Sequence, residues 1–292
     1  MKNKMIILPN GSVFSRLGQG TWKMGEDDNL HEKESQGLRT GIELGLNLID
    51  TAEMYADGKA ENIVGNAVKG LDRSQFSIVS KVYPQNANQK HIYSSLDCSL
   101  KLMGTNYLDM YLLHWREDAD LEEVVYCMED LKDKKKILNW GVSNFDVEDM
   151  EDLFKVPDGK NCAINQILYN LGSRGVEYDL IPWQRENNIP FMAYGPVGQA
   201  GKMVTQDGIT KETLMTDFRV KEIARKHGIT TVQLLLAFVL RHDDFIAIPK
   251  ATSYQHIKEN IEVINIVLDE EDLEQLSLSF PAPTSKNPME KY

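Results

Sequence analysis

Short apolar runs that end on a polar residue alternate along this chain with longer stretches of helical periodicity. The runs are "LNLID", "FSIVSK", "LDMYLLH", "ILNWGVSN", "CAINQI", "IPFMAY" and "FIAIPK", with "SRLGQGTW" a weaker eighth ahead of them. Their length and near-continuous apolarity predict strands covered on both faces. Between them, Ile63, Val64, Ala67 and Val68 share one helical face, as do Ile92, Leu96 and Leu100, and Leu121, Val124, Val125, Met128 and Leu131. Thr230 is placed to cap "TVQLLLAFVLR", whose almost all-round apolarity predicts burial between neighbours. At the start, "MIILPNGSVFSRLG" reads as a hairpin turning at Pro9–Asn10–Gly11.

Strands that alternate with helices pair in parallel through right-handed crossovers. The polar residues closing the runs are Asp50, Lys81, His114, Asn144, Gln166, Tyr194 and Lys250. Most steps between them are about thirty residues, the length of one strand–helix unit. The longer last step leaves room for an added helix around Asp217–His227. Eight units without a Pro/Gly/Ser-rich linker predict a single (β/α)8 barrel domain over residues 1–292, with an N-terminal β-hairpin and extra helices near the C-terminal part. A doubly wound sheet is the competing α/β architecture. Gly18-Gln19-Gly20, however, lacks the third glycine of a dinucleotide fingerprint.

The barrel expectation changes the meaning of "LNLIDTAEMY", where an apolar run gives way to Asp50, Glu53 and Tyr55. Taken alone, this is how any strand leaves a core. In a barrel, the C-terminal ends of all strands converge on one mouth, so ionisable and amide groups ending seven strands predict a lined site.

Charge and composition narrow the function. The net charge of −12 argues against nucleic acid, which favours a basic stripe, and against an anionic membrane surface. The one basic run, Lys132–Lys136, reads as the C-terminal turn of a helix. No apolar stretch approaches the length of a membrane span, and "MKNKMIILPNGS" has too short an apolar core for a signal peptide. Cys98, Cys127 and Cys162 are sparse and odd in number, which fits a reducing cytoplasm. The six histidines show no paired metal-ligand spacing, so no metal is expected.

"IDTAEMY", "VSK", "YLLHW", "WGVSNF", "NQI", "AYGP" and "IPKATSYQHIKEN" follow one another as in the aldo-keto reductases. The resemblance runs from the hairpin to about Leu276 and is nearest to the short bacterial members. It implies a catalytic tetrad of Asp50, Tyr55, Lys81 and His114. Tyr55 would protonate the alkoxide that forms when a carbonyl accepts hydride. One cation about 4 Å away, at an effective dielectric of about 20, is worth about 4 kcal/mol, enough to bring a phenol down by some two to three pKa units. Lys81 would supply that cation, Asp50 would keep it charged, and His114 would orient the carbonyl oxygen. Glu53 is expected to shape the turn only.

The same resemblance implies NADP(H) as cofactor. Ser143, Asn144 and Gln166 would hold the carboxamide and Tyr194 would stack on the ring. Gly195, Pro196, Val197 and Gly198 would lie along the pyrophosphate, and Gly20, Thr21, Trp22 and Asp50 would complete the inner wall. Pro249, Lys250, Ala251, Thr252 and Ser253 would take the ribose 2′-phosphate at a helix start. Glu259 and Asn260 would meet the adenine. His256 stands where many members have arginine and cannot give its bidentate, permanent charge, so NADH is a weaker alternative cofactor. Trp22, Tyr55, Tyr83, His114 and Trp115 would wall the substrate pocket. Short connections after His114 and after Phe280 predict an open site for small aldehydes or α-ketoaldehydes such as methylglyoxal, in a protein working as a monomer. Two other functions share these features: a cofactor-binding regulatory subunit on the same fold, and an aldolase-like barrel with Lys81 as Schiff base.

Overall fold

The computed structural model describes residues 4–198 and 208–291. Strands β1 (Met5–Ile7) and β2 (Val13–Ser15) form the antiparallel hairpin, with Ile6 opposite Phe14. The other eight strands make one parallel sheet in chain order: β3 (Gln19–Gly20), β4 (Leu48–Asp50), β5 (Ser77–Val82), β6 (Met110–Leu113), β7 (Trp140–Ser143), β8 (Asn165–Leu168), β9 (Phe191–Tyr194) and β10 (Phe245–Ala247). The sheet curls until its edges meet. Leu17 bridges to Ala247 in parallel, and Gly18 N donates to Ala247 O at 2.9 Å while Ala247 N donates to Arg16 O at 2.9 Å. Arg16, fully buried, stitches the seam by donating from Nε to Phe245 O and from Nη2 to Leu240 O. Closure removes both sheet edges, which yields the expected (β/α)8 barrel.

A period of two then sorts each strand. Leu48, Val79, Leu112, Ile164, Met192 and Ile246 form a cluster with Ile6, Leu8 and Phe14 of the hairpin region, so the hairpin plugs the barrel interior from below. The alternate residues Ile49, Ile78, Tyr111, Leu113, Val142, Ala193 and Phe245 join the larger cluster under the helices. Two residues beyond each interior apolar position stand Asp50, Lys81, His114, Gln166, Tyr194 and Ile248. On five of these six strands the inward face of the barrel therefore turns from apolar to polar at its C-terminal rim, and Ile248 keeps the sixth apolar.

The helix Thr231–Val239 is capped by Thr230 in a reciprocal box with Gln233 and is buried along most of its length. The added helix is Phe218–His227, started by Asp217 and ended by Gly228 in the left-handed conformation. The Lys132–Lys136 run does close the helix Leu121–Asp133. Lys132 pairs with Glu129, Lys134 with Asp130 and Lys136 with Asp97. Among the described residues, no helix is long and apolar enough to cross a membrane.

Candidate active site

Lys81, fully buried at the end of β5, is the centre of the rim. Its three ammonium protons meet three acceptors: Asp50 Oδ1 at 2.7 Å, Thr51 O at 2.8 Å and the Tyr55 hydroxyl oxygen at 3.2 Å. The second Asp50 oxygen accepts from Gln166 Nε2 at 2.7 Å. Burial disfavours both charged forms, drawing Asp50 up and Lys81 down, while their contact opposes it. The complete set of ammonium acceptors and carboxylate donors fits the ion pair.

Tyr55 reaches this pair because the chain folds back after β4. Ala56 (φ 49°) and Asp57 (φ 52°) adopt the left-handed conformation before Gly58 starts the helix Lys59–Val68. Two non-glycine residues in that region cost about 1 kcal/mol each, a strain spent on placing the phenol. Glu53 braces the same corner by accepting from Tyr83 N at 2.7 Å and Asn86 Nδ2 at 3.0 Å.

The electrostatics on Tyr55 correct the sequence arithmetic. Burial, and then the Asp50 charge, push the phenol well above its ordinary pKa. The expectation credited Lys81 with a free unit charge, whereas Asp50 at 2.7 Å cancels most of its field. What Lys81 leaves is a directed N–H donor, and Tyr55 enters that bond as acceptor with its own proton uncommitted.

His114 stacks on Trp115 with ring centroids 3.8 Å apart and meets the Tyr55 ring edge at 5.9 Å. Burial, and then Lys81, hold it well below the usual histidine range, so the imidazole is neutral. Its Nδ1 is buried without a partner among the described residues. Trp22 lies edge-on to Tyr55 at 5.0 Å, and Tyr83 stacks on Trp115 at 6.1 Å.

A network runs along the adjoining rim. Ser143 Oγ donates to Gln166 O, Asn144 Nδ2 donates to Ser143 Oγ and to His114 O, and the Tyr194 hydroxyl donates to Asn144 Oδ1 at 2.7 Å. Asn144 (φ 60°) turns out of strand geometry, while its backbone N–H still donates to Gln166 O at 2.8 Å. Farther out, Ser253 caps the helix Tyr254–Glu262 by accepting from His256 N at 3.2 Å.

One cavity joins these parts. It is lined by Gly20, Trp22, Asp50, Tyr55, His114, Trp115, Ser143, Asn144, Gln166, Tyr194–Gly198, Pro249 and Lys250. Other expected residues stand outside its lining. Thr21 is buried with its hydroxyl donating to Asp50 O; Lys81 acts from behind Asp50 and Tyr55; Tyr83 backs Trp115. Ala251, Thr252, Ser253, His256, Glu259 and Asn260 also lie beyond it, on the run leading into the helix Tyr254–Glu262 and on that helix. Gln166 has its amide hydrogens turned to Asp50 and to Met192 Sδ, so its carbonyl oxygen is the part left for a ligand.

Four lining residues escaped the sequence reading: Lys23, Met54, Lys211 and Ile248. Ile248 is two residues beyond Ile246, so strand periodicity could have found it. The chemistry of the lining fits a nicotinamide dinucleotide: neutral amide and hydroxyl groups at the inner end, aromatic walls, and three lysines, Lys23, Lys211 and Lys250, toward the outer end. The Schiff-base alternative fares poorly, because the Lys81 amine is fully buried and has all its protons engaged.

The fold and this rim define a barrel oxidoreductase. Residues 16–278 match the model of the aldo/keto reductase family, and the chain belongs to that family. It is 46% identical over 290 residues to methylglyoxal reductase YeaE of Escherichia coli (strain K12), covering 99% of each chain. A crystal structure of an aldo-keto reductase from Klebsiella pneumoniae in complex with NADPH superposes with a TM-score of 0.93 at 45% identity, over 100% of both chains. A second Klebsiella pneumoniae structure, with NADP and acetate, gives 0.93 at 44%, over 99% of this chain and 100% of that one. The protein is thus an NADP-dependent oxidoreductase of carbonyl groups.

Proposed function

We infer that this single-domain barrel reduces small aldehydes and α-ketoaldehydes, methylglyoxal among them, with NADPH and with Tyr55 as proton donor. The observation that carries the reading is the hydrogen bond from Lys81 Nζ to the Tyr55 hydroxyl at 3.2 Å. It makes Tyr55 an acceptor toward the protein and leaves its proton for a group in the cavity. The substrate class is supported by the near-full-length relative named for methylglyoxal reduction. Trp22 and Trp115 in the cavity wall, the latter backed by Tyr83, also suit a small planar dicarbonyl.

When bound, the nicotinamide supplies the hydride. The carbonyl oxygen is seated between Tyr55 and the neutral His114 imidazole, which donates a hydrogen bond without adding charge. A phenol held above its usual pKa keeps its proton until that oxygen becomes an alkoxide, a stronger base than phenolate. The proton then moves from Tyr55, and the Lys81 N–H already aimed at the phenolic oxygen receives the charge that develops there. Ser143, Asn144 and the Gln166 carbonyl would hold the carboxamide; Tyr194 would lie on the ring. Lys250, the hydroxyls of Thr252 and Ser253, and His256 would meet the 2′-phosphate, with Glu259 and Asn260 at the adenine.

A working monomer in a reducing cytoplasm is in keeping with three free cysteines and an acidic surface. The test is turnover of NADPH with methylglyoxal, aromatic aldehydes and a steroid-like ketone. Efficiency highest with methylglyoxal is expected; a steep rise with the bulky ketone would overturn the small-substrate reading.

A further inference from the structure

Lys250 does not face the cavity as an unopposed cation. Its Nζ donates to Lys23 O at 3.1 Å and stands 3.6 Å from Glu34 Oε1. Glu34 lies in the helix His31–Glu43, and its side chain is only 5% exposed against 36% for Lys250. The carboxylate is fixed, because its other oxygen accepts from Gly25 N at 2.9 Å. Gly25 (φ 83°) is held there by its own conformation and by close packing, since a Cβ would sit 2.8 Å from Lys59 Cβ. A phosphate that recruits the flexible lysine therefore leaves Glu34 in place behind it. The negative charge is then sensed by a 2′-phosphate and scarcely by a 2′-hydroxyl.

We propose that Glu34 is a specificity-determining residue that weakens the preference for NADPH over NADH by opposing the charge of Lys250. This rests on the reading that Lys250 meets the 2′-phosphate. Glu34 need not touch the cofactor. It acts by lowering the positive potential at the phosphate position, in the same direction as the histidine at position 256. The two together make this a dinucleotide site in which the extra phosphate contributes less than a lysine and an arginine would provide.

The test compares dissociation constants for NADPH and NADH, read from quenching of tryptophan fluorescence, in wild type, Glu34→Gln, Glu34→Asp and Lys250→Met. Glutamine keeps an acceptor for Gly25 N–H while removing the charge. Glu34→Gln should tighten NADPH about tenfold and leave NADH within about twofold, the size expected of one charge several ångströms away and partly screened. Glu34→Asp, which withdraws the carboxylate by one methylene, should fall between and covers the case of a poorly folded Gln variant. An NADPH-to-NADH ratio unchanged in both variants, or both constants moving together, overturns the proposal. Lys250→Met separates the two claims. If it spares the ratio, the 2′-phosphate reading fails and the proposal with it. If it collapses the ratio while the Glu34 variants do not move it, only the role of Glu34 fails.

Discussion

Of two largely buried ionic clusters that each hold a tyrosine, one lines the cavity and the other does not. In the first, Asp50 pairs with Lys81 and Tyr55 accepts from the lysine. In the second, Glu177 is gripped by Arg174 at 2.7 Å and Arg241 at 2.9 Å, and Tyr169 donates its hydroxyl proton to Glu177 at 2.5 Å. The ingredients match but the balance differs. At Glu177, burial is outweighed by the two guanidinium groups, and the carboxylate lies below its ordinary pKa. At Asp50, burial outweighs Lys81 and Gln166, and the carboxyl is drawn up. The proton of Tyr169 is committed to a carboxylate, whereas that of Tyr55 is not. A cluster that answers all its own charges holds structure; one that leaves a donor over can do chemistry.

The contrast can be broken most forcefully at Lys81. Lys81→Met leaves Asp50 buried without its cation, which should cost about 3–5 kcal/mol of stability and about a thousandfold in kcat/KM. Adding Asp50→Asn should restore much of the melting temperature and none of the turnover; recovery of both would mean the pair is only structural. Glu177→Gln should cost about 3 kcal/mol in denaturant unfolding while kcat/KM stays within about twofold.

Glu61 sharpens the comparison through pH. This buried carboxyl, accepting from Ser80 Oγ at 2.7 Å, is raised by burial to about 7. Raised from 4.5, it contributes stability that is full below about pH 4.5 and lost as pH climbs through about 7. Glu61→Gln should therefore gain about 2–3 kcal/mol on wild type at pH 8 and much less at pH 5, as melting curves at the two pH values would show. The smallest effect is expected of His256→Arg, about a threefold tightening of NADPH with NADH unchanged, seen by calorimetry.

Much of this was legible in the chain because strand periodicity is strict. Once a run such as "LNLID" is a barrel strand, Leu48 and Asp50 must face inward together, and the same parity places Lys81, His114, Gln166 and Tyr194 on the rim. The left-handed pair Ala56–Asp57 was not legible, since neither residue type requires that conformation; tertiary packing imposes it. The pairing of Lys81 with Asp50 was expected, but their near-neutral sum at the phenol was missed, because the net field depends on distances that residue types and spacing do not carry. Glu34 sits in an acidic, exposed-looking stretch, and only the return of the chain at Gly25 and Lys250 buries it.

That Tyr55, unlike Tyr169, holds an uncommitted proton is tested most directly by single-turnover reduction of methylglyoxal with Phe at each of these two tyrosines. The reductive step should slow at least a hundredfold in Tyr55→Phe with NADPH binding retained, and stay within about threefold of wild type in Tyr169→Phe. An unchanged step in Tyr55→Phe would contradict the account.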